Sequence, residues 1–234
     1  MKIALLGYGR MGQVIERIAK ERGHEIVLKK SRNESFEGLE NADVAIDFSI
    51  PEAAVANISE CFEKRIPVVS GTTGWLENYS NVVKLCEQSN GAFIYSSNFS
   101  LGVNIFFEMN AYLAKIMSQF SQYSIGIEEI HHTQKLDAPS GTAITLADAI
   151  INHSDYSSWG LNEGKNSDEL VIKAERIAQV PGTHIVTYKS DIDTIEIKHE
   201  AHNREGFALG AVVAAEWIFG KNGVYSMKDV LNLK

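Results

Sequence analysis

The sequence KIALLGYGRMG at residues 2–12 joins a short apolar run to the motif G-x-G-x-x-G, and a helical pattern follows at residues 14–19. This order predicts a strand, a tight turn and a helix. Glycines in the motif allow the turn, a close approach of the backbone to a pyrophosphate and close packing of the helix on the strand. The N-terminus of the helix attracts negative charge. A second apolar run, at residues 24–28, lies at the distance that a βαβ unit requires. The start of the chain therefore predicts dinucleotide binding.

The end of the second predicted strand is basic, with Lys29, Lys30 and Arg32. Folds of this kind that prefer NAD usually place an acidic side chain here, where it binds the ribose hydroxyls. Cations suit the 2′-phosphate of NADP instead, so NADPH is expected to be at least tolerated. The alternative is a basic loop that only faces solvent, and the preference between NADH and NADPH stays open.

Three more apolar runs, at residues 42–49, 66–70 and 92–95, predict further strands of a doubly wound parallel sheet. Ligands of such sheets lie at the carboxyl ends of the strands, so the loops after these strands are expected to face the cofactor. Small and amide side chains in them can hydrogen-bond a nicotinamide carboxamide. The candidate cofactor-binding residues are Gly7, Tyr8, Gly9, Arg10, Met11, Gly12, Lys29, Lys30, Phe48, Gly71, Thr72, Thr73, Ser96, Ser97, Asn98 and Phe99.

The pattern changes after residue 100. A long amphipathic helix is predicted, and alternating apolar and polar residues then predict strands of a second sheet, interrupted by a hydrophilic stretch at 153–168. A small-residue-rich apolar helix is predicted near the C-terminus and is expected to pack back on the first domain. The helices are predicted at 104–118 and 207–219, and the strands at 123–130, 170–177, 184–189 and 194–200.

The fold class that these elements predict is α/β. A Rossmann-like dinucleotide-binding domain is expected at 1–100, completed by 207–234, and a second α+β domain on a mixed or antiparallel sheet is expected at 101–206. A sheet with one helical face and one open face is commonly covered by a partner subunit, so a homo-oligomer is expected.

The sequence EEIHHTQKLDAPSGTA at residues 128–143 is the candidate catalytic stretch. His131, His132 and Lys135 follow a predicted strand, and residues 140–142 begin a predicted helix whose unpaired N–H groups can bind a carboxylate or phosphate. Imidazoles titrate near neutral pH, so the stretch suits an acidic substrate that has to receive a proton. The alternative is a polar turn whose histidines are only hydrogen-bonded. No metal site is expected, because no cysteine or third ligand lies at a helpful spacing.

Composition limits the possible partners and settings. A net charge of -8 argues against a nucleic-acid surface. Cys61 and Cys86 show no metal spacing and nothing that suggests pairing, which favours a reducing, cytoplasmic setting. The chain starts directly with a strand rather than a signal peptide, and no apolar run approaches about 18 residues, so neither secretion nor a membrane is expected.

Five segments together resemble the dihydrodipicolinate reductase family, also called 4-hydroxy-tetrahydrodipicolinate reductase, from residue 1 to about residue 220. They are residues 7–12, 47–49, 71–74, 97–104 and 131–142. The resemblance implies hydride transfer from NADH or NADPH to a small cyclic dicarboxylate, giving tetrahydrodipicolinate with loss of water, in diaminopimelate and lysine biosynthesis. It also implies a homotetramer built through the second domain.

The resemblance also implies roles for individual residues. His131 is the implied proton donor and Lys135 a second acid. His132 binds the substrate, and a substrate carboxylate lies at Gly141 and Thr142, next to Ser140. The chain departs from many relatives at residues 181–184, which read Pro-Gly-Thr-His without a preceding pair of glycines.

Two other functions fit the first domain. One is another two-domain NAD(P)-dependent dehydrogenase, of the aspartate or homoserine type, which would not need the histidine, lysine and Ser-Gly-Thr set in one stretch. The other is a non-catalytic nucleotide-sensing protein, against which the intact His131 and Lys135 argue.

Overall fold

A computed structural model of the chain describes residues 1–32, 34–164, 166–203 and 205–233. The chain divides into two compact units. The first contains Met1–Leu101 and Glu205–Lys234, and the second contains Gly102–Arg204. None of the described helices is long and apolar enough to cross a bilayer.

The elements alternate through the first unit and become mostly strands in the second. In chain order the strands are β1 (Lys2–Leu6), β2 (Glu25–Lys30), β3 (Val44–Asp47), β4 (Val68–Ser70), β5 (Ala92–Tyr95), β6 (Ser124–His131), β7 (Ser158–Leu161), β8 (Glu169–Arg176), β9 (Gly182–Lys189), β10 (Thr194–Ala201) and β11 (Gly223–Tyr225). The α-helices are α1 (Arg10–Glu21), α2 (Pro51–Glu63), α3 (Tyr79–Gln88), α4 (Leu101–Met117), α5 (Gly141–Ile151), α6 (Glu205–Ile218) and α7 (Met227–Val230).

The first unit is built on a six-stranded parallel sheet with the order β11-β5-β4-β3-β1-β2. Both faces of β1 are buried, which explains its continuous apolar run. Ile3 and Leu5 pack with α1 and α6 on one face, and Ala4 and Leu6 pack with α2 and α3 on the other. The order reverses at β1, which lies between β3 and β2. The prediction of a Rossmann-like doubly wound sheet is confirmed.

Helix α6 packs against α1 and the sheet. Its small residues allow a close approach: a Cβ on Gly210 would lie 1.7 Å from the carbonyl oxygen of Phe99. Helices α2 and α3 contain Cys61 and Cys86, and both cysteines are buried and free of a disulfide. The C-terminal segment therefore supplies part of the core of the first unit.

The second unit contains a five-stranded mixed sheet with the order β10-β9-β6-β8-β7. Strand β6 pairs in parallel with β8 and antiparallel with β9. Helices α4 and α5 pack against one face, where Phe106, Leu146, Ile172 and Val186 share a core. The four strands predicted for this domain are present. Strand β7 is not predicted by the sequence, because it lies within the hydrophilic stretch at 153–168.

Candidate active site

The turn between β1 and α1 forms one wall of a cavity of about 280 Å³ in the first unit. Gly7 has a φ of 104°, and a Cβ on Gly12 would lie 2.3 Å from the carbonyl oxygen of Gly7. A Cβ on Gly9 would meet no atom within 4 Å, so the backbone there is open to an approaching group. These features fit a dinucleotide pyrophosphate at the N-terminus of α1. Tyr8, Lys30, Arg32 and Phe48 line the same cavity.

The two lysines at the end of β2 differ in their surroundings. Lys29 lies 2.7 Å from Glu16 and covers the ring of Tyr8, so it belongs to an ionic cluster on α1. Lys30 is buried, and its ammonium group lies 4.5 Å from the ring centre of Phe36. Lys30, unlike Lys29, lines the cavity together with Arg32. A 2′-phosphate in this cavity would therefore lie beside Lys30 and Arg32 rather than beside Lys29. The sequence alone could not distinguish the two lysines.

The loops after β3 and β4 are held by a fully buried carboxylate, Asp47. It accepts hydrogen bonds from the side chains of Ser49 (2.7 Å), Asn57 (2.9 Å) and Ser70 (2.8 Å). Burial raises the pKa of Asp47, and these hydrogen bonds oppose that effect. The network fixes both loops beside the cavity. It uses a residue that the candidate set left out.

Other predicted cofactor residues lie in these loops, in the loop after β5 and in the first turn of α1. Thr72 accepts a hydrogen bond from the Ser49 N–H at 2.8 Å, and the ring of Phe48 covers Gly71. Ser96 donates to the carbonyl oxygen of Asn98 at 2.7 Å. Arg10, Thr73 and Ser97 are exposed and Met11 is half-buried. Phe99 is 1% exposed, so its ring belongs to the core.

Strand β6 places Glu129 and His131 on the helix-covered face of the second sheet, because side chains two residues apart share a face. Residues of the neighbouring strands lie beside these two side chains. In the strand register, Glu129 is opposite His184 on β9 and His131 is opposite Arg176 on β8. Glu129, His131 and His184 are all buried. Four side chains from three strands therefore meet at one end of this sheet.

Glu129 is the centre of this group and is 0% exposed. Its Oε2 accepts the Ser140 N–H at 3.0 Å, and its Oε1 accepts a hydrogen bond from Arg176 at 3.0 Å. Arg176 also donates to the carbonyl oxygen of Asp137 at 2.7 Å. Burial by itself would raise the pKa of Glu129, but the hydrogen bonds from Ser140 and Arg176 outweigh burial and lower it. Glu129 is therefore a carboxylate at neutral pH.

His131 and His184 face the same oxygen of Glu129. His131 Nδ1 lies 3.6 Å and His184 Nε2 lies 3.7 Å from Oε2. Burial lowers the pKa of both rings, to about 3 for His184, and Glu129 opposes this effect. A Cβ on Gly182 would lie 3.1 Å from His131 Nε2, so a larger residue there would press on the ring. Both imidazoles are neutral at pH 7.

The turn after β6 contains His132 and Lys135. Its hydrogen bond runs from the Lys135 N–H to the His132 carbonyl oxygen at 3.0 Å. The Lys135 ammonium group binds both carboxylate oxygens of Asp137, at 2.9 and 2.7 Å. His132 lines a cavity of about 420 Å³ together with Gln134, Gln179 and others. An anionic ligand of Lys135 would compete with Asp137.

Helix α5 begins as the sequence predicted. The Ser140 hydroxyl caps it by accepting the Ala143 N–H at 3.2 Å, and it lies 3.1 Å from His184 Nε2. The N–H groups of Gly141 and Thr142 have no hydrogen-bond partner among the residues that the structure describes. A Cβ on Gly141 would meet nothing within 4 Å, so this helix start is open. The predicted carboxylate site is available in this geometry.

Three of these residues were absent from the sequence-based candidate set: Glu129, Arg176 and His184. Glu129 could have been found, since an acidic residue two positions before His131 on a strand shares its face. Arg176 and His184 join the group only through the pairing of β6 with β8 and β9, which no spacing in the sequence reveals.

Comparisons with known proteins agree with the resemblance. The family model "Dihydrodipicolinate reductase, N-terminus" matches residues 1–99, and "Dihydrodipicolinate reductase, C-terminus" matches residues 102–231. The 4-hydroxy-tetrahydrodipicolinate reductase of Christiangramia forsetii is 57% identical, over 99% of this chain and 98% of that protein. The reductase of the same name from Staphylococcus carnosus is 36% identical, over 99% and 100%.

A solved structure described as dipicolinate-bound dihydrodipicolinate reductase from Paenisporosarcina sp. TG-14 has the same fold. Its TM-score is 0.78 at 21% identity, and the match covers 100% of this chain and 99% of that one.

Proposed function

The chain belongs to the dihydrodipicolinate reductase family, and on that premise we propose that it reduces 4-hydroxy-tetrahydrodipicolinate to tetrahydrodipicolinate in diaminopimelate and lysine biosynthesis. The observation that carries this proposal is the 57% identity to a reductase of that name over nearly the whole chain. Neither a dehydrogenase of another type nor a nucleotide sensor receives comparable support.

NADH or NADPH is the reductant of this family, and the first unit is its nucleotide-binding domain. The bound reduced nicotinamide supplies the hydride. The chain contributes the glycine turn at the N-terminus of α1, where Gly9 leaves room for the pyrophosphate, and the cations Lys30 and Arg32 in the adjoining cavity. These cations suit a 2′-phosphate, which supports use of NADPH beside NADH.

In the second unit, the N–H groups of Gly141 and Thr142 bind one substrate carboxylate, since an open helix start attracts an anion. His132 and Lys135, which lie in the turn after β6, also bind the substrate. A substrate carboxylate at Lys135 would replace Asp137 as the partner of its ammonium group. Two carboxylates of one small ring are thereby held at fixed positive groups.

After hydride addition, the neighbouring ring position carries negative charge and has to be protonated. His131 is the proposed donor: its ring is neutral in the free protein, and the two substrate carboxylates would favour the imidazolium. Lys135 is a second acid. Glu129 acts through His131 as a positioning residue: its carboxylate faces Nδ1 of that ring and is itself fixed by Arg176 and Ser140. The network orients the imidazole before the substrate binds.

We further propose a homotetramer assembled through the second unit, and a cytoplasmic location. The face of the second sheet opposite α4 and α5 supports the first, because an uncovered sheet face commonly binds another subunit. Free buried cysteines support the second.

The test is NAD(P)H oxidation with freshly generated product of the preceding synthase. Removal of a general acid should lower kcat by at least about 100-fold, so His131→Ala and Lys135→Ala should each show such a loss. His153→Ala and Lys115→Ala, which change exposed residues of the same unit, should retain activity. Full turnover in both active-site variants would refute the proposed donors, and an inactive wild type would refute the reductase.

A further inference from the structure

Among the residues that the structure describes, Glu129, His131 and His184 offer three ligand atoms that lie within 4.8 Å of one another. The two distances from Glu129 Oε2 are 3.6 Å to His131 Nδ1 and 3.7 Å to His184 Nε2. A tetrahedral zinc ion with bonds of about 2.1 Å holds its ligand atoms roughly 3.4 Å apart. Two edges of a metal-binding triangle are therefore already close to their required length.

One of the three ligand atoms is free of hydrogen bonds among the described residues. Two imidazoles and a carboxylate are common ligands of zinc. Nδ1 of His131 has no hydrogen-bond partner in the described part of the chain. An ion could therefore take this atom without displacing a hydrogen-bond partner.

Neighbouring charges oppose a cation, but they bind atoms other than the three ligand atoms. Arg176 binds the other oxygen of Glu129, Oε1, and so orients Oε2 as an outer-shell partner does. Lys135 is paired with Asp137. The hydrogen bonds of Ser140 to Glu129 Oε2 and to His184 Nε2 would have to shift when an ion binds. The free-energy cost of binding the ion therefore includes the loss of these two hydrogen bonds of Ser140.

We propose that Glu129, His131 and His184 bind a first-row divalent transition ion, in particular Zn²⁺, and that the bound ion inhibits the enzyme. Two imidazoles and a carboxylate suit zinc and cobalt rather than magnesium or calcium. A metal on Nδ1 of His131 takes the position of a proton, so the ring cannot become an imidazolium. The inhibitory part rests on the proposed function, whereas binding of the ion does not. The spacing of residues in the sequence does not predict this metal site, since His184 is on β9 and the other two ligands are on β6.

Binding is tested on EDTA-treated protein by competition for Zn²⁺ with a chromophoric chelator. The wild type should bind one equivalent. His184→Asn and Glu129→Gln should each bind at least about tenfold more weakly, the lower limit for loss of even an outer-shell partner. His153→Asn is the control, since His153 is an exposed histidine of the same unit and lies outside the triad. An unchanged affinity in His184→Asn, or no binding by the wild type, would overturn the site.

X-ray absorption at the zinc edge provides a readout that needs no variant. Wild-type protein with one equivalent of Zn²⁺ should show two imidazoles and oxygen ligands, and fewer than two imidazoles would refute the proposal. Inhibition is measured separately, as loss of NAD(P)H oxidation that EDTA restores. Zinc binding in an inactive wild type would refute the proposed function and leave the metal site. Full activity of the zinc-loaded wild type would refute inhibition.

Discussion

Glu129 is a fully buried carboxylate, and removal of a charge from a buried pair leaves its partner uncompensated. Glu129→Gln keeps the side-chain volume but deprives Arg176, which is 21% exposed, of its ionic partner. We expect the free energy of unfolding to fall by about 2–3 kcal/mol, somewhat less than for a fully buried pair. Urea denaturation of the wild type and of Glu129→Gln measures this difference in the free energy of unfolding.

The neighbouring Glu128 is the control for this experiment. Its side chain lies on the opposite, open face of β6, where it lines a different cavity. Glu128→Gln should change the free energy of unfolding by no more than about 0.5 kcal/mol. Equal losses in the two variants would mean that the Glu129 network does not stabilise the unit.

Glu16 is the second informative carboxylate. Hydrogen bonds from Lys20, Lys29 and Tyr8 lower the pKa of Glu16 from 4.5 to about 2. A lowered pKa stabilises the folded state above pH 4.5, and this contribution is lost as the pH falls toward 2. Lys20 and Lys29 are 60% and 41% exposed, so solvent screens the cluster, and we expect about 1 kcal/mol at pH 7.

The measurement is the free energy of unfolding of the wild type and of Glu16→Gln from pH 7 to pH 3. The difference between them should shrink with falling pH. Glu21→Gln, which removes an exposed partner of Arg17, should differ from the wild type by less than about 0.5 kcal/mol at every pH. If the difference in the free energy of unfolding between the wild type and Glu16→Gln grew as the pH fell, the stabilising role of the ionised Glu16 would be refuted.

At the scale of elements, the turn between β1 and α1 allows structural and ligand-binding glycines to be separated. An alanine at Gly12 would bring a Cβ within 2.3 Å of the Gly7 carbonyl oxygen, whereas one at Gly9, with a φ of -87°, would meet nothing. Gly12→Ala should therefore lower the melting temperature without any ligand. Gly9→Ala should keep stability within about 1 kcal/mol, the usual range for a helix N-cap, and weaken NADPH binding.

Cofactor fluorescence and thermal unfolding measure these two effects. If Gly9→Ala bound NADPH with unchanged affinity, the pyrophosphate would not lie against this backbone. Gly12→Ala with an unchanged melting temperature would show that the helix can move away from the turn.

Elements could be predicted from the sequence where their pattern is local. Strand β1 is buried on both faces and reads as one apolar run, and α5 has its cap and its helical spacing within a few residues. Strand β7 has four residues, none of them buried, so its pattern could not be distinguished from a loop. His131 and Lys135 could be proposed because they lie in one short segment between a predicted strand and a predicted helix. His184 and Arg176 were not, because strand register is a property of the fold.

At the scale of the whole molecule, the face of the second sheet opposite α4 and α5 bears on how chains associate. Side chains of Val171 on β8 and Ile185 and Thr187 on β9 alternate with the core residues and point away from α4 and α5. A cavity of about 490 Å³ lies over this face. This face also contains charged side chains, since Glu128 and Lys173 line the same cavity. The apolar residues between these charges favour association with the same face of another chain.

The proposed homotetramer predicts the effect of a charge on this face. Sedimentation equilibrium of the wild type should give a mass of four chains. Ile185→Asp should give smaller species, since a carboxylate buried in an interface costs several kcal/mol. Leu76→Asp, at a 50% exposed position of the first unit, should leave the tetramer intact. A monomeric wild type would refute the tetramer. A tetrameric Ile185→Asp variant would place the interface elsewhere, because a carboxylate buried at this position would weaken it.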